Sequence, residues 1–554
     1  MKSELEQAVA TAVKDLFSVD LSVELARPDE QFGDFATNVA LQLAKQVGKN
    51  PREIAEELRQ QLVSDSRLVS VEVAGPGFLN LKLSDAALVA GLSREANKPL
   101  AGKTVLVEYS DPNPFKPLHA GHLYTTLVGD TLARLVEHAG AKVTRLNYGG
   151  DVGLHVAKSM WAIVRELGGE LPEKLHDIAE SERPAWLGAR YVEGNNAYED
   201  DETAKAEIVE NNKRVYQLQA DADHDSAFAH IYWMCRQWSY DYFATLYQQL
   251  QVVPFDRYIP ESEVTQLGFN TVKEQLDKGV FENSDGAVIF DGEKLGLHKR
   301  VFINSEGLPT YETKDVGLSL TKWQDYHFDE SIIITANEQA QYMQVVIAAI
   351  NQFAPEPAER TRHLTHGFVK LQGGVKMSSR KGNVITALEI LEAAREAGAE
   401  SGTNPSEETI LAAVKYALAK NRMGGDIIYD PKESIALEGN SGPYLQYAHA
   451  RARSILAKAG QFHAQLEDLE PAERSLLRKI TEYNEVLDKA VAERMPHMIC
   501  TYLYELAQVF NSFYEHNRVI DDSRQNLRLK LIEHYADTLK SGLELLGIHA
   551  PDRM

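Results

Sequence analysis

His119 and His122 stand three residues apart at the head of an apolar run, KPLHAGHLYTTLVGD (116–130), with only Ala120 and Gly121 between them. Two imidazoles at that spacing share one helix face. They could be a solvated surface, half of a metal site, or a ligand contact. A metal site asks for further Cys, His or carboxylate ligands at set spacing. The chain has no H-E-x-x-H and no C-x-x-C, and no metal ligand is assigned. A helix start instead offers unpaired N–H groups and the positive end of the dipole, which favour anions and phosphate above all. Gly121 would let such a ligand approach the backbone. A second cluster, LQGGVKMSSRKGNVIT (371–386), packs Lys376, Arg380 and Lys381 among Ser378, Ser379 and Gly382 after a Gly373-Gly374 turn. A loop of cations and small hydroxyls suits a polyphosphate and can stabilise charge building on a departing pyrophosphate. Either cluster alone reads as a solvated turn; together in one α/β chain they point to phosphate chemistry.

The flanking residues say what positions the histidines. TVLVEYS (104–110) is a short apolar, β-branched stretch that predicts a buried strand. DPNPFKP (111–117) carries three prolines and cannot be helix. Leu123, Leu127, Val128, Leu132, Leu135 and Val136 then recur at helical spacing, with Gly140 as a cap, and AKVTRLNYGG resumes as strand. This is one βαβ unit, with the histidines just past the carboxyl end of a strand, where open α/β sheets bind ligands.

With 554 residues, 44% of them apolar and 25% charged, several soluble domains are expected. The formal net charge of −23 argues against a general nucleic-acid binder but not against local basic patches. Two cysteines, Cys235 and Cys500, fit a reducing compartment and exclude a disulfide scaffold. No run approaches the ~20 apolar residues of a spanning helix, and MKSELEQAVATAVKDLF reads as an amphipathic helix, so a cytoplasmic protein without membrane attachment is expected. Residues 1–97 read as a separate α/β unit: two helices around the Gly-Lys-Asn-Pro break, paired strands over 69–83 about Gly75-Pro76-Gly77, and a linker at 97–103. Residues 98–430 read as an α/β domain with an insertion at about 160–300, which holds the acidic surface stretch YEDDE (198–202) and two aromatic-rich helices near 229–250. Strand pattern returns at GAVIFDG and KRVFINSEGLPTYETKDVG; SIIIT (331–335) predicts a central parallel strand, and 336–353 a helix with Ala340, Met343, Val346, Ile347 and Ile350 on one face. From about 405 the pattern is almost wholly helical, and residues 431–554 predict a terminal helical bundle.

H-x-G-H early in a Rossmann-like domain with K-M-S-x-x later resembles the class I aminoacyl-tRNA synthetases, and more closely the arginyl-tRNA synthetase family. EYSDPNPFKPLHAGH is similar to that family's first signature region. FGDFATN, NPREIAEEL and VAGPGFLNLKL resemble its N-terminal additional domain, and LEGNSGPYLQYAHARARSIL with the closing LGIHAPDRM resembles its helical anticodon-binding domain. The similarity spans nearly the whole chain except parts of 160–300. The fold implied is multidomain α/β: a Rossmann-like catalytic domain, an N-terminal α/β additional domain that contacts tRNA, and a C-terminal all-helical anticodon-binding bundle.

The resemblance implies two-step attachment of L-arginine to its tRNA. Arginyl-adenylate forms from ATP with release of pyrophosphate, and the tRNA 3′ ribose then displaces AMP; arginine activation is expected to wait for bound tRNA. His119, His122 and Lys376 would be catalytic. Lys116, Gly121, Met377, Ser378 and Lys381 would join them on ATP, with Mg²⁺ held mainly by the phosphates. Arginine carries a planar, permanently charged fork, so its site should offer carboxylates for paired hydrogen bonds. The family's guanidinium carboxylates fall on Glu108 and Asp315, and burial of Glu108 without a cation would be costly. Asn113 matches the contact to the α-amino and carboxyl groups, and Tyr311 and Gln339 match further substrate contacts. Tyr444, Ala448, Arg451, Tyr514 and Met554 are expected at tRNA(Arg), where aromatics stack on splayed bases and arginines meet phosphate. A monomer is expected. The chain departs from the family at Ser379, where the second signature carries lysine, and at Gly149 and Val152, where bulkier residues are expected near the adenosine. Rival readings are a shorter type of nucleotidyltransferase, a synthetase for another amino acid, and a non-catalytic tRNA-binding paralogue.

Overall fold

The computed structural model describes residues 1–93, 96–372, 385–402 and 404–554. The N-terminal unit opens with the helix Lys2–Phe17 and continues through β1 (Phe35–Thr37) to two helices, Val39–Val47 and Pro51–Leu62. Pro51 starts its helix because the N–H it lacks is one the first turn leaves unbonded, and Asn50 caps that turn by accepting from the Arg52 N–H at 2.9 Å. β2 (Leu68–Ala74) and β3 (Phe78–Leu83) pair antiparallel about the Gly75–Gly77 turn, in the order β1-β3-β2. Leu79, Leu81 and Leu83 alternate inward against Leu5, Val9, Val13, Leu43 and Leu58.

The central sheet begins with β4 (Thr104–Glu108), the histidine-bearing helix Ala120–His138 and β5 (Lys142–Gly149). The chain then leaves the sheet through four helices, Leu154–Glu166, Arg183–Asp200, Glu202–Ala220 and Ala227–Gln249, which enclose a core of their own around Val156, Met160, Leu187, Val215, Phe228 and Tyr232. It returns as β6 (Arg257–Pro260) and the helix Glu261–Asp277. A small antiparallel sheet follows, β7 (Glu282–Ser284), β8 (Ala287–Phe290) and β9 (Arg300–Ile303), then the helix Tyr311–Tyr326, β10 (Glu330–Ala336), the helix Ala340–Asn351 and β11 (Thr361–His366). The five main strands are all parallel in the order β11-β10-β4-β5-β6. Alternate residues serve opposite faces: Val105, Val107, Ile332 and Ile334 pack with the histidine helix, while Leu106, Leu146 and Ile259 pack with Leu318 and Phe328. The strand order reverses between β4 and β10, which opens a crevice at their carboxyl ends.

Four sequence expectations change. The insertion is not one block over 160–300, because β6 and its helix rejoin the main sheet; β6 is a four-residue edge strand ending in Pro260, too short to show a period, and only an edge tolerates that proline. The two aromatic helices near 229–250 are the single helix Ala227–Gln249, whose start Ser226 caps. YETKDVG is helix, not strand: its buried side chains include Glu312, Thr313 and Lys314, which hide the apolar period. The helix expected from 336 starts at Ala340, after a 3₁₀ turn over Asn337–Gln339.

β12 (Val369–Leu371) pairs in parallel with β13 (Ile427–Tyr429), a strand inside the otherwise helical last third. The bundle comprises Gly442–Ala459, Pro471–Thr481, Tyr483–Glu493, His497–His516 and Gln525–Leu545, packed on Leu445, Leu476, Leu503, Phe510 and Leu539. Among the described residues no helix is long and apolar enough to cross a membrane. The N-terminal unit is bolted to this bundle by charge. Asp34 is wholly buried and meets Arg474 at 2.6 Å and Arg478 at 3.2 Å, while Arg27 grips Glu485 through two nitrogens at 3.1 and 2.7 Å. Asp34→Ala should remove the buried carboxylate that Arg474 and Arg478 share, leaving Asp85 and Glu482 as their remaining acidic partners. Loss of one partner of a buried ion pair costs about 3–5 kcal/mol, so a lower midpoint of thermal unfolding and faster proteolytic release of the N-terminal unit are expected, with Asp34→Asn intermediate.

Candidate active site

The helix Ala120–His138 starts with a reciprocal cap made by the two histidines. His119 is the capping residue, and its Nδ1 accepts the backbone N–H of Gly121 at 3.1 Å and of His122 at 3.3 Å. His122 Nδ1 in turn accepts the N–H of His119 at 3.3 Å, and the rings stack with centroids 3.7 Å apart. With both Nδ1 atoms accepting, each ring carries its proton on Nε2. Burial and then the Lys116 charge hold His119 down to about 4, and burial followed by His119 and Lys116 holds His122 well below the usual histidine range. The pair therefore presents neutral N–H donors at a helix start across the neutral pH range. The helix seats closely on the sheet because Gly129 faces Tyr109, where a β-carbon would come within 2.3 Å of the ring.

The loop from β4 to His119 is tightly wound. Ser110, Asp111 and Phe115 have φ of 75°, 48° and 68°, values that side chains adopt where surrounding structure holds them. Asn113 Oδ1 accepts the Gly150 N–H at 2.8 Å, Asp111 Oδ1 accepts the Tyr148 N–H at 2.8 Å, and the Phe115 N–H reaches Ser239 Oγ at 2.9 Å. Glycine is required opposite: a β-carbon on Gly149 would lie 2.8 Å from the Pro112 carbonyl oxygen. The departure noted at Gly149 is thus a packing requirement of this chain, and Val152 is fully buried against Phe115 and Val156. Lys116 is desolvated, which lowers it to about 8, and its ammonium sits 4.3 Å from the Tyr191 ring centre. The segment after the second motif is pinned to the first: the Ala120 N–H donates to the Ile385 carbonyl at 2.8 Å and the Ala387 N–H to the Leu118 carbonyl at 3.0 Å. Lys376, Met377, Ser378, Ser379, Arg380 and Lys381 lie outside the described residues.

A cavity of about 540 Å³ opens at the crevice between β4 and β10, with Glu108, Asn113, Tyr311, Asp315 and Gln339 on its wall. All five amino-acid contacts expected from the sequence thus converge on one space. The chemistry of Glu108 differs from the expectation. It is not waiting for a cation: Lys322 reaches it from the helix Tyr311–Tyr326, with Nζ 2.7 Å from Oε2. Sequence spacing gave no hint of that pair, which joins residues far apart in the chain. Glu261, which sequence reading missed because the short strand before it went unrecognised, also lines the cavity and pairs with Lys314 at 2.6 Å. Asp315 accepts a hydrogen bond from the Tyr342 hydroxyl, and desolvation ahead of that bond raises it to about 7, with Glu108 and Glu261 adding to the rise. Gln339 and Tyr311 are exposed at the mouth.

On the bundle, Tyr444, Tyr447 and Arg451 share the helix Gly442–Ala459. Tyr444 accepts from Asn511 at 2.7 Å, Arg451 donates to the Tyr447 hydroxyl at 3.1 Å, and the Tyr514 ring lies beside Phe510 with its outer face open. The closing residues are tied to the same helix, Gln446 donating to the His549 carbonyl at 2.8 Å and Arg453 to Asp552 at 3.1 Å, which leaves Met554 exposed. Ala448 corrects the expectation: it is 1% exposed, so its methyl packs inside the bundle and offers no contact surface.

The family profile described as tRNA synthetases class I (R), catalytic domain, matches residues 85–429. The DALR anticodon binding domain matches 445–554, and the arginyl tRNA synthetase N terminal domain matches 1–83. The arginine–tRNA ligase of Porphyromonas gingivalis is 30% identical over 100% of this chain and 99% of its own. The Thermus thermophilus arginyl-tRNA synthetase structure aligns over 100% of both chains with a TM-score of 0.82 and 27% identity. The Plasmodium falciparum arginyl-tRNA synthetase, at 20% identity and a TM-score of 0.80 over 100% of this chain and 99% of its own, shares the fold. Neutral N–H donors at a helix start and carboxylates at the neighbouring strand ends, on a chain matched end to end in this way, lead to one conclusion: the chain belongs to the class I arginyl-tRNA synthetases, enzymes that activate arginine with ATP and join it to tRNA.

Proposed function

We propose that this chain forms arginyl-adenylate in the crevice between β4 and β10 and transfers the arginyl group to tRNA(Arg), with the roles divided along that crevice. The observation that carries the division is the contrast between its ends: neutral imidazole donors and Lys116 at the helix start, carboxylates at the strand ends. The His119 and His122 Nε2–H groups, with Lys116 and Gly121 beside them, hold ATP phosphate oxygens. The arginine carboxylate attacks the α-phosphorus, and the bond to pyrophosphate breaks. We assign Lys376, Met377, Ser378 and Lys381 to the leaving pyrophosphate. Mg²⁺ would ride on the phosphates. The donor set beside them suits phosphate oxygens, since imidazole N–H and ammonium groups repel a cation. Asp315, with Glu108 held behind it by Lys322, takes the guanidinium; Glu261, Tyr311, Gln339 and Asn113 complete the amino-acid site. The tRNA lies along Tyr444, Tyr447, Arg451, Tyr514 and Met554, with Ala448 packing the helix that presents them. We divide the chain into residues 1–97, 98–430 and 431–554, and place it as a monomer in the cytoplasm, a reducing setting that suits the two buried free thiols Cys235 and Cys500.

The first test is charging of unfractionated tRNA with each of the twenty amino acids separately. Arginine alone should be attached; attachment of another amino acid would overturn the carboxylate assignment, and no attachment with retained tRNA binding would favour a non-catalytic paralogue. The anion half is tested by His119→Ala and His122→Ala. Loss of one preorganised donor costs about a hundredfold or more, so arginine-dependent pyrophosphate exchange, measured with tRNA present, should fall by that factor in each while tRNA binding persists. The cation half is tested by pH. Asp315 is raised to about 7 in the free protein, so its carboxyl favours the fold while protonated, and that contribution is lost as pH rises through about 7. A guanidinium needs the ionised form. Arginine affinity should therefore increase roughly tenfold between pH 6 and pH 8, and Asp315→Asn should bind weakly with a flat profile; isothermal titration reads both.

A further inference from the structure

The helical insertion that leaves the main sheet after β5 reaches the phosphate end of the crevice through an aromatic ring. Tyr191, on the helix Arg183–Asp200, lies against Lys116, whose ammonium is 4.3 Å from the ring centre. The helix rests on the neighbouring residue as well: Gly188, nearly one turn earlier, faces the Pro117 ring, which stands 3.5 Å from where a β-carbon would be. Farther along the same helix, Asn195 accepts from Lys158 Nζ at 3.0 Å and the Tyr198 ring centre lies 4.2 Å from that nitrogen. Tyr191, Asn195 and Tyr198 follow at steps of four and three residues, so they form one stripe. That stripe faces two lysines.

The lysines around the crevice are held in two different ways. Lys322 and Lys314 are each bonded to a carboxylate, Glu108 at 2.7 Å and Glu261 at 2.6 Å, and their charges are cancelled there. Among the described residues Lys116 has no carboxylate within ion-pair distance. Glu261 acts on it from farther away, and its Oε2 is given to Lys314. An aromatic face attracts a cation through its quadrupole and carries no net charge. It therefore fixes an ammonium without neutralising it. A lysine that must meet phosphate beside a cleft rich in carboxylates needs this kind of hold. An ion pair would fix the side chain too, but it would have to be broken before an anion could use the charge. A free four-carbon stem would have to be ordered each time the anion arrived.

We propose that Tyr191 is a positioning residue for adenylate formation: its ring holds Lys116 in place, with the charge uncancelled, for the phosphate oxygens of ATP. The helical insertion thereby takes part in the chemistry. This rests on the reading of Lys116 as a phosphate ligand.

The test is pyrophosphate exchange by the full-length enzyme with tRNA, arginine and ATP present. Tyr191→Leu keeps an apolar side chain that suits a helix and removes the aromatic face. A cation–π contact is worth about threefold to thirtyfold. In Tyr191→Leu, kcat/KM for ATP should fall by at least about threefold while KM for arginine holds. Tyr191→Phe keeps the face and should stay within about twofold of the parent. Lys116→Met should lose more, and adding Tyr191→Leu to it should cost nothing further, because a residue that acts through Lys116 has nothing to hold once that side chain is gone. If Tyr191→Leu has no effect, if Leu and Phe lose alike, or if the Leu loss adds in full on Lys116→Met, the role given to Tyr191 fails while the phosphate reading of Lys116 stands. If Lys116→Met exchanges as fast as the parent, that reading fails and the role of Tyr191 with it. Where Tyr191→Leu does not fold, Tyr191→Met removes the same face and is read in the same way.

Discussion

Negative charge withdrawn from water at the carboxyl ends of the central strands is the constraint around which the catalytic half is arranged. A desolvated carboxylate without a partner is expensive, and several crowd one crevice. The helix Tyr311–Tyr326 answers most of this cost. Lys314 and Lys322 reach from it to Glu261 and Glu108, and both pairs are buried. The same helix also supplies Asp315, which desolvation raises to about 7. One element thus neutralises part of the field and leaves a remainder for the substrate. In the proposed arrangement, selectivity for arginine follows from that remainder, because lysine or ornithine would leave part of a site for a planar fork unpaired. Polar recognition of this kind discriminates strongly without a second, editing site.

The opposite end of the crevice solves a different problem by different means. The phosphate site proposed there rests on neutral imidazoles whose Nδ1 atoms are spent on capping their own helix, so that the backbone fixes which nitrogen carries the proton. Desolvation keeps the rings uncharged, and Lys116 supplies the nearby cation. An anion is thereby met by donors that need no counter-charge of their own, beside a cleft that is strongly negative. The loop between the two ends is short and wound, with positive φ at Ser110, Asp111 and Phe115.

The parts that face tRNA are connected to this centre by packing and charge. Asp130, buried on the histidine helix, binds Arg134 at 2.8 Å and the Val253 N–H at 3.0 Å, and Gly547 sits against it at φ 66°. Lys415 donates to the carbonyls of Gly547 and Gln251 at 2.5 and 3.3 Å. The residues beyond Gly547 are tied down on the helix that bears Tyr444, Tyr447 and Arg451. Helix Ala120–His138, the helical insertion, helix Glu407–Ala419 and the chain end therefore meet at one junction behind the histidines. The N-terminal unit is clamped to the bundle through Asp34 and Arg27, so the two outer units share one rigid seat.

Local pattern was enough for much of this. The strand-loop-helix at 104–138, the central strand at 331–335, the hairpin at 68–83 and the helical last third all follow from apolar period, proline and cap residues, because those signals are written within a few neighbouring positions. The short motifs pointed to the family that the comparisons show, since their residue types and order are what resembles it. What sequence could not supply was partnership between distant residues. It identified Glu108 as a carboxylate needing a cation but could not say that Lys322 already fills that role. It passed over Glu261 and Asp111, which line one cavity, and Lys314, which pairs with Glu261. It took Ala448 for a surface contact, although helix packing turns that methyl inward. By itself the sequence determined which chemical groups the protein owns and which local elements carry them. The tertiary structure decided which charges are cancelled and which are left for a ligand, because electrostatic pairing depends on distance and desolvation in space, and neither is encoded by spacing along the chain.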